Sequence, residues 1–189
     1  IQGAAQNMTE LVQNMMELAQ MDLEATQKHE PVEMGKLLAE MAHEFTAQAH
    51  VKQQTLTFTP LSSATNINGD SLQLRQLLRN LIGNAIKYTP KGGAVGILTE
   101  VNDGSLKIDI QDNGYGIPAA DLPFIFNRFY RVRNEAVKDI EGNGLGLAIV
   151  KSAIEQHGGQ ISVESEPGKG TCFTINLPVT SVAASSLKF

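Results

Sequence analysis

Apolar residues recur at helical spacing in four stretches of this chain and alternate with polar ones in five others. Residues 4–27 hold no Gly or Pro and carry Met8, Leu11, Val12, Met15, Met16, Leu18, Ala19 and Leu23 on two adjacent seams. That face is wider than the stripe of a two-stranded coil and fits either a helical bundle or an amphipathic helix packed on its own domain. Pro31 closes it. A second helix is predicted over about 32–51 (Val32, Leu37, Leu38, Met41, Phe45), then a strand over 55–59 and a turn through Asn66–Gly69. Asp70 or Ser71 caps a helix over 71–88, whose buried face is Leu74, Leu77, Leu78, Leu81 and Ile82. Strands over 94–101 and 105–111 flank Asn102-Asp103-Gly104, a hairpin signal. Residues 118–141 lack clean periodicity and read as a long loop with one helical turn. A helix over 144–157 ends at His157-Gly158-Gly159. Strands over 160–166 and 171–177 form a last hairpin around Glu166–Gly170, and the residues after Pro178 read as a tail. The order predicts an α/β two-layer sandwich, a mixed sheet with helices on one face.

Composition narrows the function classes. At 189 residues the chain holds one domain with a full core and a short accessory element. Lys plus Arg number 15 against 20 for Asp plus Glu, a net charge of −5, which argues against a nucleic-acid surface. A single cysteine, Cys172, excludes an internal disulfide framework and fits a reducing compartment. No apolar run approaches the ~18 residues of a membrane span, and no signal pattern opens the chain. The expectation is a cytoplasmic piece of a larger protein.

Candidate chemistry lies at the element ends. The alternating run Leu106–Gln111 falls directly into Asp112-Asn-Gly114-Tyr-Gly116-Ile-Pro118. Two glycines leave a floor without side chains, and Asp112 is its fixed polar contact, although a plain turn explains the same residues. Asn80 and Asn84 stand one turn apart on the 71–88 helix, with Lys87 and Tyr88 beyond. Buried amides need several partners. They satisfy nearby loop backbone, or they offer neutral oxygens to a magnesium ion that keeps its waters and phosphates. Gly142-Asn-Gly144-Leu-Gly146-Leu147 runs into a helix start, where free N–H groups suit an anion. It is neither the dinucleotide fingerprint nor a P-loop, and loop flexibility is the alternative. In the long loop, Phe126 and Phe129 are expected to pin the segment to the body. Arg128, Arg131 and Arg133 form a cluster that is either solvated or able to steady developing charge.

The five motifs in this order resemble the ATP-binding domain of sensor histidine kinases, in the GHKL superfamily that also holds gyrase and MutL. They are Asn80-x3-Asn84, Asp112-x-Gly114-x-Gly116, Phe126-x2-Phe129, Gly142-x-Gly144-x-Gly146 and Gly168-Lys-Gly170-Thr171, and the match covers about residues 55–178. The resemblance implies a Bergerat-type, mostly antiparallel sheet and ATP with Mg2+ as ligands. It implies that Asp112 accepts from the adenine amino group and that Gly114, Gly116 and Ile117 let the nucleotide lie close. Tyr88 would line the base pocket, and Thr171 would reach adenine through water. Asn84 would hold the metal, with Asn80 nearby, and Lys87 would touch phosphate. Gly142, Gly144, Leu145, Gly146 and Leu147 would meet the phosphates, residues 118–141 would close over them, and Arg128 and Arg131 would assist transfer. Hydrolytic relatives carry Glu where this chain has Asn80, which cannot take a proton, so a histidine acceptor is favoured over water.

The match breaks at the acceptor. His29, His43, His50 and His157 lie outside any S-H-E-L-R-T-P context; His43 and His50 read as helix surface and His157 as helix end. Residues 1–30 resemble the second helix of a dimerisation hairpin, 31–178 the catalytic domain, and 179–189 a tail. The implied partners are the parent kinase's acceptor hairpin, a response-regulator receiver domain and a second copy in the full-length protein. Nucleic acid and membrane contacts are not expected. A nucleotide-binding regulatory module without transfer is the competing function.

Overall fold

The computed structural model describes residues 29–180 except Arg133 and Asp139; the helix expected over 4–27 lies outside the described residues. In chain order the elements are β1 (Glu30–Glu33), α1 (Met34–Val51), β2 (Thr55–Phe58), β3 (Asn66–Gly69), α2 (Ser71–Tyr88), β4 (Ala94–Asn102) and β5 (Ser105–Asp112). A 3-10 turn at Leu122–Phe124, α3 (Gly146–Gln156), β6 (Gln160–Glu166) and β7 (Gly170–Pro178) follow.

Five strands form one sheet in the order β2-β4-β5-β7-β6, with β2 parallel to β4 and the other pairs antiparallel. Along β5, Leu106, Ile108 and Ile110 are fully buried while Lys107, Asp109 and Gln111 face away from the core. Period-two alternation thus puts one face under the helices and leaves the other polar. The core is built from that inner face with α1 (Leu38, Met41) and α2 (Leu74, Leu78, Leu81, Ile82), all without solvent exposure.

The boundaries of α2 follow from local chemistry. The Asp70 carboxylate accepts from Leu72 N at 2.8 Å and Gln73 N at 3.2 Å, satisfying two donors that a helix start leaves open. Two short strands depart from the expected pattern. Asn66–Gly69, expected as a turn, is β3, and residues 30–33 pair with it as β1, so α1 starts at Met34 rather than near Val32. Val32 opposite Ile67 puts both under the core, and the Glu33 carboxylate caps α1 through Gly35 N and Lys36 N. Burying that apolar pair outweighs the weak strand character of a Pro-containing tetrapeptide.

His43 and His50 are exposed on α1, whereas His157, at the end of α3, is 4% exposed. Its Nε2 accepts from Asp70 N at 3.0 Å, so Nδ1 carries the proton and donates to Ala153 O at 2.6 Å. Burial pushes its pKa below the usual histidine range. The ring therefore ties the end of α3 to the start of α2. The backbone stays attached past Pro178, since Val179 N donates to Gly104 O and Thr180 N to Asn66 O. No helix among the described residues is long and apolar enough to cross a membrane.

Candidate nucleotide site

One cavity opens between the C-terminal half of α2, the start of α3, the end of β5 and the long loop. Asn80, Asn84, Lys87 and Tyr88 reach it because steps of three and four residues keep them on one face of α2. The opposite face, from Leu74 to Ile86, is committed to the core. Two side chains of α2 come close to the backbone of the glycine-rich segment. A Cβ on Gly146 would lie 3.1 Å from Asn80 Oδ1, and one on Gly142 would lie 2.9 Å from Lys87 Nζ. Asn80 Nδ2 is buried without a partner, an open donor beside the start of α3.

At the other end sit Asp112, Gly116, Ile117, Thr171 and Phe173. Asp112 Oδ1 accepts from Gly114 N at 2.8 Å. Burial raises the Asp112 pKa above the usual carboxylate range, against the opposing pull of the Gly114 and Thr171 amides. Burial also raises the Tyr88 pKa, keeping the phenol neutral, with Arg131 opposing. The long loop forms the outer wall through Ile125, Tyr130, Arg131, Val132 and Val137. Its middle is tied to the glycine-rich segment where Phe129 N donates to Gly144 O at 2.9 Å. The Tyr130 hydroxyl bonds Asp121, and the Arg131 guanidinium donates to Ile140 O, which braces the wall from within.

Thirteen of the residues singled out in the sequence thus converge on this cavity: Asn80, Asn84, Lys87, Tyr88, Asp112, Gly116, Ile117, Arg131, Gly142, Gly144, Gly146, Leu147 and Thr171. Three do not line it. Gly114 lies under the C-terminus of α2, where a Cβ would come 2.3 Å from Tyr88 O. Its missing side chain lets the turn pack under the end of the helix. Leu145 is fully buried and points into the core. Arg128 is exposed outside the lining. Phe126 pins the loop as expected, with its ring edge-on to Phe173 at 6.4 Å, but Phe129 is 60% exposed and holds the loop through its backbone N–H instead of its ring. Arg133 lies outside the described residues.

Other supports were not visible as a motif. Lys52 Nζ donates to Ile86 O at 2.9 Å and Lys87 O at 3.1 Å, and Gln54 Nε2 donates to Ile86 O at 3.0 Å and Thr89 O at 2.6 Å. These two side chains from the α1–β2 turn close the open carbonyls of α2 at the point where Lys87 and Tyr88 leave it. Asn143 Oδ1 accepts from Leu145 N at 3.0 Å and shapes the entry to α3. Ser165, on β6, contacts Ile117, Gly170 and Thr171. Only its place opposite Thr171 in a predicted hairpin could have pointed to it.

The family of histidine kinase-, DNA gyrase B- and HSP90-like ATPases matches residues 69–181, and the chain belongs to it. Within that family its relatives are sensor histidine kinases, and this is an ATP-binding catalytic domain of their kind. The sensor histidine kinase WalK of Bacillus subtilis is 44% identical over 111 residues, covering 58% of this chain and 18% of that protein. The solved mycobacterial sensor histidine kinase MprB is 33% identical with a TM-score of 0.65, covering 80% of this chain and 97% of that one. Full-length ShkA, solved in complex with AMPPNP, is 30% identical with a TM-score of 0.77, covering 93% of this chain and 36% of that one. The chain spans between 18% and 33% of the length of the first three curated relatives it matches.

Proposed function

We propose that the cavity binds ATP with magnesium and that the chain transfers the γ-phosphoryl group to a histidine on a dimerisation hairpin of its parent kinase. The observation that carries this is the distribution of proton acceptors. Among the described residues Asp112 is the one carboxylate lining the cavity, and it sits at the β5 end; the other end presents Asn80 and Asn84. Neither amide can take a proton from water, which favours a nucleophile that brings its own basicity, as a neutral imidazole does.

The donor set fits a metal that arrives with the nucleotide. Among the described residues no group of three or more His, Cys, Asp or Glu could hold a resident ion. Asn84 supplies one neutral oxygen, suited to magnesium that keeps its waters and phosphate oxygens. When bound, the ion would neutralise charge that develops on the transferred group. The chain's own part is to hold and orient. Lys87 and the N–H groups at the start of α3 would draw the phosphates, Tyr88 and Ile117 would flank the base, and the 118–141 wall would exclude water. Arg131, already in the wall, would steady charge on the leaving oxygens; Arg128 would need the loop to move.

On this reading residues 1–30 belong to the dimerisation hairpin and 31–178 act as the catalytic unit in the cytoplasm. The full-length protein forms a homodimer, and the phosphohistidine serves a response-regulator receiver domain. The test supplies γ-labelled ATP and a separate hairpin carrying the acceptor histidine. Acid-labile, alkali-stable label on the hairpin is expected, reduced about 100-fold or more by Asn84→Ala, on the scale of one lost transition-state charge contact. ATP binding with no transfer to any hairpin would instead favour a regulatory nucleotide module. Free phosphate release that ignores the hairpin would contradict the acceptor argument.

A further inference from the structure

Asp112, Thr171 and Ser165 stand in one row across three adjacent strands: Asp112 pairs with Thr171 between β5 and β7, and Thr171 with Ser165 between β7 and β6. Directly opposed residues of antiparallel strands project to the same face, so these three side chains share the inner face at the cavity edge. Asp112 and Thr171 line the cavity, and Ser165 stands behind them.

The Ser165 hydroxyl has three neighbours of different character. Ile117 N, only a donor, lies 2.8 Å from its Oγ; Gly170 O, only an acceptor, lies at 2.9 Å; and Thr171 Oγ1 lies at 2.8 Å and can play either part. A serine hydroxyl carries one hydrogen and two lone pairs. Ile117 N takes one lone pair. The hydrogen goes to Gly170 O, because two oxygens facing each other there without a proton would repel. The second lone pair then accepts the Thr171 hydrogen. Only this assignment satisfies every member.

The consequence falls on Thr171. With its proton committed backward, its oxygen offers the cavity lone pairs alone. Beside it stands the Asp112 carboxylate, also an acceptor. The β5–β7 wall of the cavity therefore presents two neighbouring acceptors and no donor from the Thr171 hydroxyl. We propose that Ser165 is a positioning residue that locks Thr171 as an acceptor and so sets the preference for a 6-amino purine over a 6-oxo purine. The inference rests on the ATP reading above and deepens it. An exocyclic amino group meets this wall as a donor, directly or through one water, whereas a 6-oxo group meets it as a third acceptor. Releasing the Thr171 hydroxyl rotor lets it turn its hydrogen into the cavity and tolerate the oxo group.

Binding of ATP and GTP with magnesium to the unmodified chain, Ser165→Ala, Ser165→Thr and Thr171→Val tests this by calorimetry. Ser165→Ala is expected to lower the ATP-over-GTP affinity ratio about tenfold, the scale of one hydrogen bond. Ser165→Thr keeps the hydroxyl and should hold the ratio within about twofold. Thr171→Val should lower the ratio, and adding Ser165→Ala to it should lower it no further, because both act through one hydroxyl. If Ser165→Ala does not fold, Ser165→Cys, a weak donor, must lower the ratio in its place. A merely structural role would alter the melting temperature and leave the ratio alone. An unchanged ratio in Ser165→Ala or Ser165→Cys with ATP still bound, or additive losses in the double variant, overturns this proposal only. An unmodified chain that takes up no ATP overturns the ATP reading and this proposal with it.

Discussion

Asp112→Asn is expected to weaken ATP binding about 100-fold or more while raising the melting temperature of the nucleotide-free chain. Gly114 N donates to Oδ1, the Thr171 amide also favours the ionised form, and on the ATP reading the carboxylate accepts from the base amino group as well. In the variant the amide oxygen keeps the Gly114 contact, which turns the NH2 towards an incoming amino group. A charge-assisted bond worth ~1.5–3 kcal/mol is replaced by two opposed donors, which cost at least ~1 kcal/mol more. Together these come to ~2.5–4 kcal/mol, against the ~2.7 kcal/mol that a 100-fold loss requires.

The stability effect runs the other way. The folded-state pKa of Asp112 is raised by burial, so the folded chain binds this proton more tightly than the unfolded one. Stability then falls as pH rises from the unfolded pKa through the raised folded one, and at neutral pH the ionised carboxylate is a standing cost. The neutral amide removes it. The advantage of the variant should be full at pH 7 and should shrink on acidification into the raised range, where the wild-type carboxyl is protonated. Calorimetric titration and thermal melts at two pH values check both halves; a variant less stable at pH 7 with ATP affinity intact would contradict them.

Gly170→Ala is expected to cost about 3 kcal/mol or more of stability and to remove nucleotide binding with it. Gly170 has φ of +111°, and a Cβ there would lie 1.9 Å from Asp112 O and 2.7 Å from Asn113 Cα. Both obstacles are backbone atoms and cannot swing aside. The start of β7 must then leave the end of β5, which separates Thr171 from Asp112 in the pair that holds the base end together. Gly168→Ala is the matched control. Its φ is +78°, but nothing lies within 4 Å of the added carbon. Only backbone strain of ~1–2 kcal/mol remains there, and binding should survive. Urea denaturation of the two variants separates them, and equal losses would show that the close approach to Asp112 is not what requires the glycine.

These two positions illustrate what the sequence made legible. Asp112 stood out because a strand pattern ended on it and two glycines followed. The limits of α2 were fixed by the Asp70 cap and an unbroken leucine period, and both hairpins by their turn residues. Gly170 was visible within a motif, but its reason, a backbone contact with Asp112 from another strand, depends on sheet register. The same limit explains Gly114 and Leu145, whose motif neighbours line the cavity while they do not; local spacing cannot say which side of a turn faces a cavity. It explains Arg128 and Arg131 as well, since a loop without period gives no faces to assign. Strands β1 and β3 were missed because four residues with a Pro or a Gly carry almost no alternation, and their pairing is decided by burial of Val32 on Ile67. Ser165 read as one more polar position on an alternating strand until register set it opposite Thr171.

The most direct measurement is a crystal structure of the chain with a non-hydrolysable ATP analogue and magnesium. The adenine amino group is expected ~3 Å from Asp112, the phosphates at the 142–146 segment and the metal on the Asn84 amide oxygen. A nucleotide bound with its base away from Asp112, or a metal held by other side chains with Asn84 untouched, would contradict that arrangement.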